Sequence, residues 1–144
     1  MLILAQTKET TQHLEVLLFL LEALGFMINS EKSHMNPAQE IEFLGLTKDS
    51  QSLQLRLPDE KIRQIRKEAA QLQLQHFVSA RQLSQFLGKL SAASQALWAA
   101  PWFYWALQRD LQKILLHGAQ DYESLLEFSR ESQEELVWWQ SHLT

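Results

Sequence analysis

The sequence predicts an α+β protein that is mostly α, in which a small antiparallel sheet with one helix is followed by a helical bundle. Two observations lead to this fold class. Glycine and proline are scarce, with four and three among 144 residues, and long apolar stretches recur at helical spacing. The short stretches typical of strands all lie before residue 58. A hydrophobic content of 46% and a charged content of 21% exclude global disorder.

One amphipathic helix is predicted near the start of the chain, from about Lys8 to Leu24. Thr7 is suited to its N-cap, and Gly25 is suited to the left-handed position that ends many helices. The apolar stretch Val16–Leu21 is far too short to span a bilayer, so we expect no membrane partner. The stripe that should pack on the sheet consists of leucines at helical spacing, namely Leu14, Leu17, Leu18, Leu21 and Leu24.

Three short strands are predicted to form the sheet. The first is Phe26–Asn29, and the second, Ile41–Leu46, follows a polar connection that contains a proline. The third, Leu53–Leu57, alternates leucine with polar residues and should form a hairpin with the second. Because Pro58 ends this strand, residues 1–57 are predicted to form the first domain.

Residues 58–117 are predicted to form a helical subdomain. Its first helix runs from Asp59 to about Leu74 and has a basic outer face. Ser79 and Gln82 fit a capping box, which opens a second helix that continues to about Leu97. The core-facing side of this second helix is predicted to consist of apolar residues three or four positions apart, namely Leu83, Phe86, Leu87, Leu90, Ala93 and Leu97.

A third helix is predicted from about Trp102 to His117, because Pro101 is favoured in a first helical turn. A dense aromatic cluster surrounds its start. Rings at this spacing commonly pin helices together, so a core role is favoured over stacking on unpaired bases. The cluster comprises Trp98, Trp102, Phe103, Tyr104 and Trp105.

Residues 118–144 are predicted to form a connection that ends in an acidic helix, Ser129–Leu143. Glu131, Glu134 and Glu135 are candidate metal ligands on this helix, but glutamates at helical positions are more often simply solvated. The chain contains no cysteine, which excludes disulfides and cysteine-ligated zinc.

Charge is distributed unevenly along the chain. The net charge of −4 argues against a protein whose whole surface binds nucleic acid. Residues 1–55 carry three lysines against seven acidic residues, whereas residues 56–89 carry seven Lys or Arg against three acidic residues. Residues 118–144 carry one arginine against six acidic residues. Only the middle segment is therefore basic enough to follow phosphates, and a merely solvated basic face is an equal alternative.

One stretch carries a resemblance to a known family. Residues 24–33 read Leu-Gly-Phe-Met-Ile-Asn-Ser-Glu-Lys-Ser, and residues 41–46 read Ile-Glu-Phe-Leu-Gly-Leu. This pair resembles motifs D and E, the second known as the primer grip, of reverse transcriptases from DIRS-like and Ngaro-like tyrosine-recombinase retrotransposons. The resemblance extends to the C-terminus and implies a palm remnant over 1–57, a thumb-like subdomain over 58–117 and a connection helix over 118–144.

The resemblance also implies what this chain lacks. The matching part begins after the Tyr-x-Asp-Asp turn, whose aspartates bind two metal ions in the family. We therefore expect no polymerase activity from this chain alone, and Mg²⁺ is expected only for a complete polymerase. Lys32 matches the motif D lysine, which can donate a proton to the leaving pyrophosphate, although a solvated turn lysine is the more common role for such a residue.

Two sets of residues are the candidate nucleic-acid contacts that the resemblance implies. Phe43, Leu44 and Gly45 match the primer grip, while their sequence alone is compatible with strand core and a bulge. On the first duplex-contacting thumb helix, small residues would face the minor groove, and packing against another helix is the alternative. These small residues are Ser84, Gly88 and Ala92, with Arg81 and Lys89 beside them for phosphates.

The function that the resemblance implies is the template–primer-binding part of a retroelement reverse transcriptase, with an RNA–DNA or DNA duplex as its ligand. The alternative is a domesticated remnant of such an element, acting as a helical module for protein interaction or for self-association through an exposed palm face. The acidic net charge and the missing Asp-Asp turn favour the alternative, whereas the basic segment 56–89 favours the first function.

Overall fold

The computed structural model describes residues 2, 3, 5, 8–117 and 121–143. It confirms an α+β fold that is mostly α, with small antiparallel sheets. The chain divides into two compact units, which are described separately below. Unit 1 comprises residues 1–43 and 48–54, and unit 2 comprises residues 44–47 and 55–144.

The main element of unit 1 is helix α1, Thr10–Ala23. It ends as predicted: Gly25 has φ +83°, its N–H donates to Glu22 O, and the N–H of Phe26 donates to Leu21 O. These two bonds form a Schellman motif, which satisfies carbonyls that the helix end would otherwise leave free. The predicted N-cap, Thr7, lies outside the described residues; the residue before α1, Glu9, makes no side-chain capping bond.

The predicted strand Phe26–Asn29 is wrong. These residues have no regular secondary structure, and Met27 is 99% exposed. A strand needs a neighbour for its ladder, and no strand pairs with this segment in the described part of the chain. Instead, the Asn29 side chain accepts a hydrogen bond from the N–H of Lys32 and caps a short 3₁₀ helix, Ser30–Lys32.

The three-stranded sheet differs from the predicted hairpin. Its strands are β1, Glu40–Phe43, β2, Leu46–Asp49, and β3, Gln54–Arg56, in that order. The predicted strand 41–46 is interrupted because Leu44 and Gly45 form a two-residue turn with φ of +54° and +73°. Positive φ at both central residues is what a type I′ hairpin requires. The second and third predicted strands therefore do not form the predicted hairpin. Instead, strand β2 lies between β1 and β3 in the sheet.

Unit 2 is a helical bundle with a minor sheet. Its two-stranded antiparallel sheet joins β4, Val78–Ser79, to β5, Leu125–Leu126, and the sequence analysis predicted neither strand. The helices are α2, Asp59–Leu74, α3, Ala80–Ala93, α4, Trp105–His117, and α5, Arg130–Ser141.

The core of unit 2 forms where α2 packs on α5, α3 packs on α4, and α4 packs on α5. The face predicted for α3 is confirmed, because five of its six residues are buried and the sixth, Leu97, lies beyond the helix end. The predicted capping box of Ser79 and Gln82 is also confirmed. The fully buried side chains include Val78, Leu83, Leu90, Leu107, Leu136, Trp139 and Leu143.

The region before α4 differs from the prediction in two ways. A 3₁₀ helix, Ala100–Phe103, contains Pro101 in its first turn, and Tyr104 with φ −138° separates it from α4. The aromatic cluster is also not a uniform core, since Trp98, Trp102 and Trp105 are exposed. Phe103 and Tyr104 are half-buried against the core, and the Phe103 ring stacks on Trp138 with centroids 3.8 Å apart.

Candidate nucleic-acid interface

Helix α3 carries the central residues of the predicted interface. Its inner face is fixed by buried apolar side chains, which include Phe86 and Leu90. The small-residue row lies on the outer side: Ser84 is half-buried, and Gly88 and Ala92 are exposed. Because the opposite face is packed into the core, the row is presented on a rigid support.

In the described part of the chain, Gly88 and Ala92 are exposed and are not buried by another helix. A Cβ atom built on Gly88 would meet no described atom within 4 Å. Gly88 instead lies at the edge of an open groove of about 970 Å³ between α3 and α4. Its lining also includes Leu87, Ser91 and Leu111. The backbone of α3 at Gly88 is therefore accessible to a large ligand.

Both basic residues predicted to contact phosphates are ion-paired. Arg81 pairs with Glu123 at 2.7 Å, and both side chains are more than half exposed. Lys89 pairs with Glu68 of α2. The Arg81–Glu123 pair is of the exposed kind that contributes about 0–1 kcal/mol, so exchanging its carboxylate for a phosphate has a small energetic cost, whereas Glu68 in the other pair is half-buried.

The residues that match the primer grip lie at the β1–β2 turn. Leu44 is 83% exposed, so it is not the strand core that its sequence allowed, and Gly45 is a turn residue and not a bulge. Phe43 precedes the turn in unit 1, half-buried, with the Lys48 ammonium 5.1 Å from its ring centroid. The turn backbone at Leu44 and Gly45 belongs to unit 2, as does α3.

Lys32 lies in unit 1 at the end of the 3₁₀ helix Ser30–Lys32, with an exposed side chain. This is the solvated turn position that the sequence analysis regarded as the more common role. Among the described residues, no group of three or more His, Cys, Asp or Glu side chains is arranged to hold a metal ion.

A buried polar network joins α4 to the start of α5, and the sequence analysis missed it. The Oδ2 atom of Asp110 accepts bonds from the Ser129 N–H at 2.9 Å, the Ser129 hydroxyl at 2.7 Å and the Ser132 hydroxyl at 2.6 Å. Burial alone would raise the pKa of Asp110, but these bonds and the neighbouring Arg109 outweigh it and lower the pKa. A signal was present, because Asp110 falls three residues after Leu107 on the core-facing side of α4.

Glu135 of α5 caps the N-terminus of α4. Its two carboxylate oxygens accept the N–H groups of Ala106, at 2.8 Å, and Leu107, at 3.0 Å. Burial raises the pKa of Glu135 despite these bonds. Glu131 pairs with Arg109 at 3.3 Å and Glu134 with Arg130 at 3.2 Å. The three glutamates considered as metal ligands thus have separate structural partners, and only Glu131 and Glu134 are exposed.

Comparisons of this chain with protein-family models, with curated proteins and with solved structures find no match. Within the described residues, no helix combines the length and the apolar character needed to cross a membrane.

Proposed function

We propose that this chain is the template–primer-binding part of a retroelement reverse transcriptase, which holds a duplex and has no polymerase activity of its own. The observation that carries the proposal is the outward row of α3. Ser84, Gly88 and Ala92 form a shallow, sterically open strip on a helix whose other face is buried. A strip of this kind admits a duplex minor groove close to the helix backbone.

The charge around this strip supports sequence-independent binding. Arg81 lies in the first turn of α3 and Lys89 follows Gly88 in sequence, so the helix that carries the strip also carries two cations. Their present partners, Glu123 and Glu68, are acceptors of the same charge as phosphate. Binding through exchange of such pairs is electrostatic and therefore weakens steeply as salt concentration rises.

The role proposed for this chain is to bind a duplex and not to catalyse a reaction. In the resembled family two metal-binding aspartates perform the metal chemistry, and a complete polymerase would require Mg²⁺ at those residues. The primer-grip match at Phe43, Leu44 and Gly45 would contribute contacts to the primer end at Leu44, which is exposed, whereas Gly45 is half-buried beside the Lys61 side chain.

The test is binding of the full chain to a labelled RNA–DNA hybrid across a salt series. The variant carries Arg81→Ala and Lys89→Ala. If both residues contact phosphate, the variant binds more weakly, and the slope of log K against log salt becomes shallower by about 1.8 for a duplex. A polymerase-extension assay on the same samples should show no product.

The matched control carries Lys113→Ala and Arg130→Ala, which removes the same charge from exposed positions on α4 and α5. This control is expected to keep the wild-type slope. Equal losses in both double variants would show that only net charge matters. Absence of binding at low salt would contradict the proposed function itself.

A second candidate function is self-association, and one observation favours it. No described residue of α1 is buried, and Val16, Phe19 and Leu20 are 50–71% exposed. An apolar helix face of this kind commonly marks a protein-interaction surface. Sedimentation velocity over a concentration series tests this: Phe19→Asp should abolish a wild-type dimer, while a chain that stays monomeric throughout would contradict the candidate.

A further inference from the structure

The segment just before β5 contacts the start of α3, the helix that carries the small-residue row. The N–H of Ala80 donates to Ser124 O at 2.9 Å. The next N–H, that of Arg81, donates to Tyr122 O at the same distance. Between these two bonds, the Glu123 carboxylate accepts a hydrogen bond from the Nε–H of Arg81 at 2.7 Å. One short segment therefore occupies two backbone donors of α3 and the guanidinium of Arg81.

The segment that carries Glu123, residues 121–124, is itself anchored. Asp121 shapes its turn, because the Asp121 carboxylate accepts the N–H of Glu123 at 3.0 Å. The segment continues directly into β5, which pairs with β4 immediately before α3. The Glu123 carboxylate is therefore presented to Arg81 by an anchored backbone, and only side chains have to move for this ion pair to open.

Arg81 and the small-residue row lie on the same side of α3. Arg81 precedes Ser84 by three positions, and residues at this spacing are neighbours on a helix surface. Tyr122, next to Glu123 in the segment, lines the same groove as Gly88. The Glu123 carboxylate thus lies at the N-terminal end of the surface proposed for the duplex.

We propose that Glu123 is a built-in competitor of the duplex: its carboxylate occupies the place of one backbone phosphate on Arg81 and lowers the affinity of the site. This inference rests on the proposed function and concerns how tightly that site binds. A carboxylate and a phosphate are alternative partners for a guanidinium, since both accept its charge-assisted hydrogen bonds. A phosphate that binds Arg81 must therefore displace Glu123, and the free energy of the displaced ion pair is subtracted from the free energy of binding.

The other ion pair of α3 is less suited to this competition. Glu68, the partner of Lys89, has a side chain that is 26% exposed, whereas the side chain of Glu123 is 67% exposed. Water can solvate a displaced Glu123 carboxylate, but Glu68 would be left half-buried without its cation. Glu123 is therefore the carboxylate that a phosphate replaces more readily.

The experiment measures binding of the full chain to a labelled RNA–DNA hybrid at low salt. Glu123→Gln removes the carboxylate charge and keeps the size of the side chain. This variant is compared with wild type, with Arg81→Ala and with the double variant of both positions. The matched control is Glu134→Gln, because Glu134 also pairs with an arginine, Arg130, and its side chain is equally exposed, at 67%.

The proposal predicts that Glu123→Gln binds the hybrid about two- to fivefold more tightly than wild type, the range expected for loss of a competing exposed ion pair. Glu134→Gln should bind like wild type. In the Arg81→Ala background, Glu123→Gln should give no further gain, because the competition requires Arg81. Denaturant unfolding should show that Glu123→Gln is no more stable than wild type, so that tighter binding does not come from a more stable fold.

Four results would overturn the competition. If Glu123→Gln binds no more tightly than wild type, while wild type binds in a salt-dependent way, the competition is wrong and the proposed function stands. Equal gains in Glu123→Gln and Glu134→Gln would show that only net charge matters. A gain that persists in full without Arg81 would show that Glu123 does not act through this cation. If no form binds the hybrid at low salt, both the competition and the proposed function are wrong.

Discussion

Helices α1 and α3 are both 14 residues long, yet they differ in what their apolar residues do. In α3 the apolar residues recur on one side, and six residues of the helix are buried. In α1 they form a nearly continuous run, Val16–Leu21, and no described residue of the helix is buried. Four leucines of the predicted α1 stripe are only half-buried, the fifth, Leu24, is exposed beyond the helix end, and Val16, Phe19 and Leu20 face solvent.

The difference shows what an apolar pattern does and does not determine. Spacing determines which residues of a helix can share a face, and this held for α3. Whether that face is covered depends on the elements available to pack on it, which a helix's own residues do not specify. A helix that is apolar on nearly all sides, such as α1, is therefore expected to need other elements to pack against it. Its own sequence does not show whether those elements are present.

The largest expected effect comes from comparing truncation of a buried ring in α3 with truncation of an exposed ring in α1. Phe86→Ala in α3 removes a side chain that is 2% exposed and should lower the free energy of unfolding by about 3–5 kcal/mol. Phe19→Ala in α1 truncates a ring that is 71% exposed and should change it by less than about 0.5 kcal/mol. Denaturant unfolding measures both, and similar losses would contradict the contrast between the helices.

A smaller effect is expected at the polar contact that fixes α4 and α5. Asp110→Asn removes the charge from a carboxylate that accepts three hydrogen bonds and should cost about 1–3 kcal/mol at neutral pH. Because the folded-state pKa of Asp110 is lowered, its contribution is present at neutral pH and is lost as the pH falls through that pKa. The variant should therefore lose less stability than wild type on acidification.

Glu135 acts in the opposite direction on acidification, because its folded-state pKa is raised. Protonation of Glu135 then favours the folded state, and this partly offsets the loss at Asp110. Unfolding curves of wild type and Asp110→Asn, measured from neutral to acidic pH, test these opposing contributions of Asp110 and Glu135. Glu134→Gln serves as an exposed control. An Asp110→Asn variant with the wild-type pH dependence would show that the network is unimportant for acid stability.

The next effect concerns how the helices begin. Ser79→Ala removes the capping-box bond that the Ser79 hydroxyl oxygen accepts from the N–H of Gln82, and should cost about 1 kcal/mol. Glu9→Ala at the start of α1 should cost much less, since Glu9 makes no side-chain capping bond. Thermal unfolding compares the two variants, and an equal loss at both sites would remove the distinction between a capped and an uncapped helix.

Much of the fold could be predicted from local sequence signals. The bounds of α2, the α3 capping box and the Gly25 helix end follow from residue types at fixed spacing. The strand at Phe26–Asn29 could not be judged this way, because a strand is stabilised by a neighbour and not by its own residues. The Leu44–Gly45 turn was missed because leucine rarely adopts positive φ.

The site was predictable only in part, for a similar reason. Spacing placed Gly88 and Ala92 on the outer face of α3, and the structure shows both exposed. The ion pairs of Arg81 and Lys89 join residues 42 and 21 positions apart, so no local pattern reveals them. Exposure of the tryptophans likewise depends on which neighbours the bundle supplies, and only the structure shows it.

The central claim is that a duplex lies against the outer face of α3, and Gly88 tests it most directly. Gly88→Ala and Gly88→Leu should both fold, because a Cβ at this position meets no described atom and both residues favour helix more than glycine does. The account predicts near wild-type hybrid binding for the alanine variant and binding at least about tenfold weaker for the leucine variant, a loss of about 1.4 kcal/mol. Equal binding by wild type and both variants would contradict it.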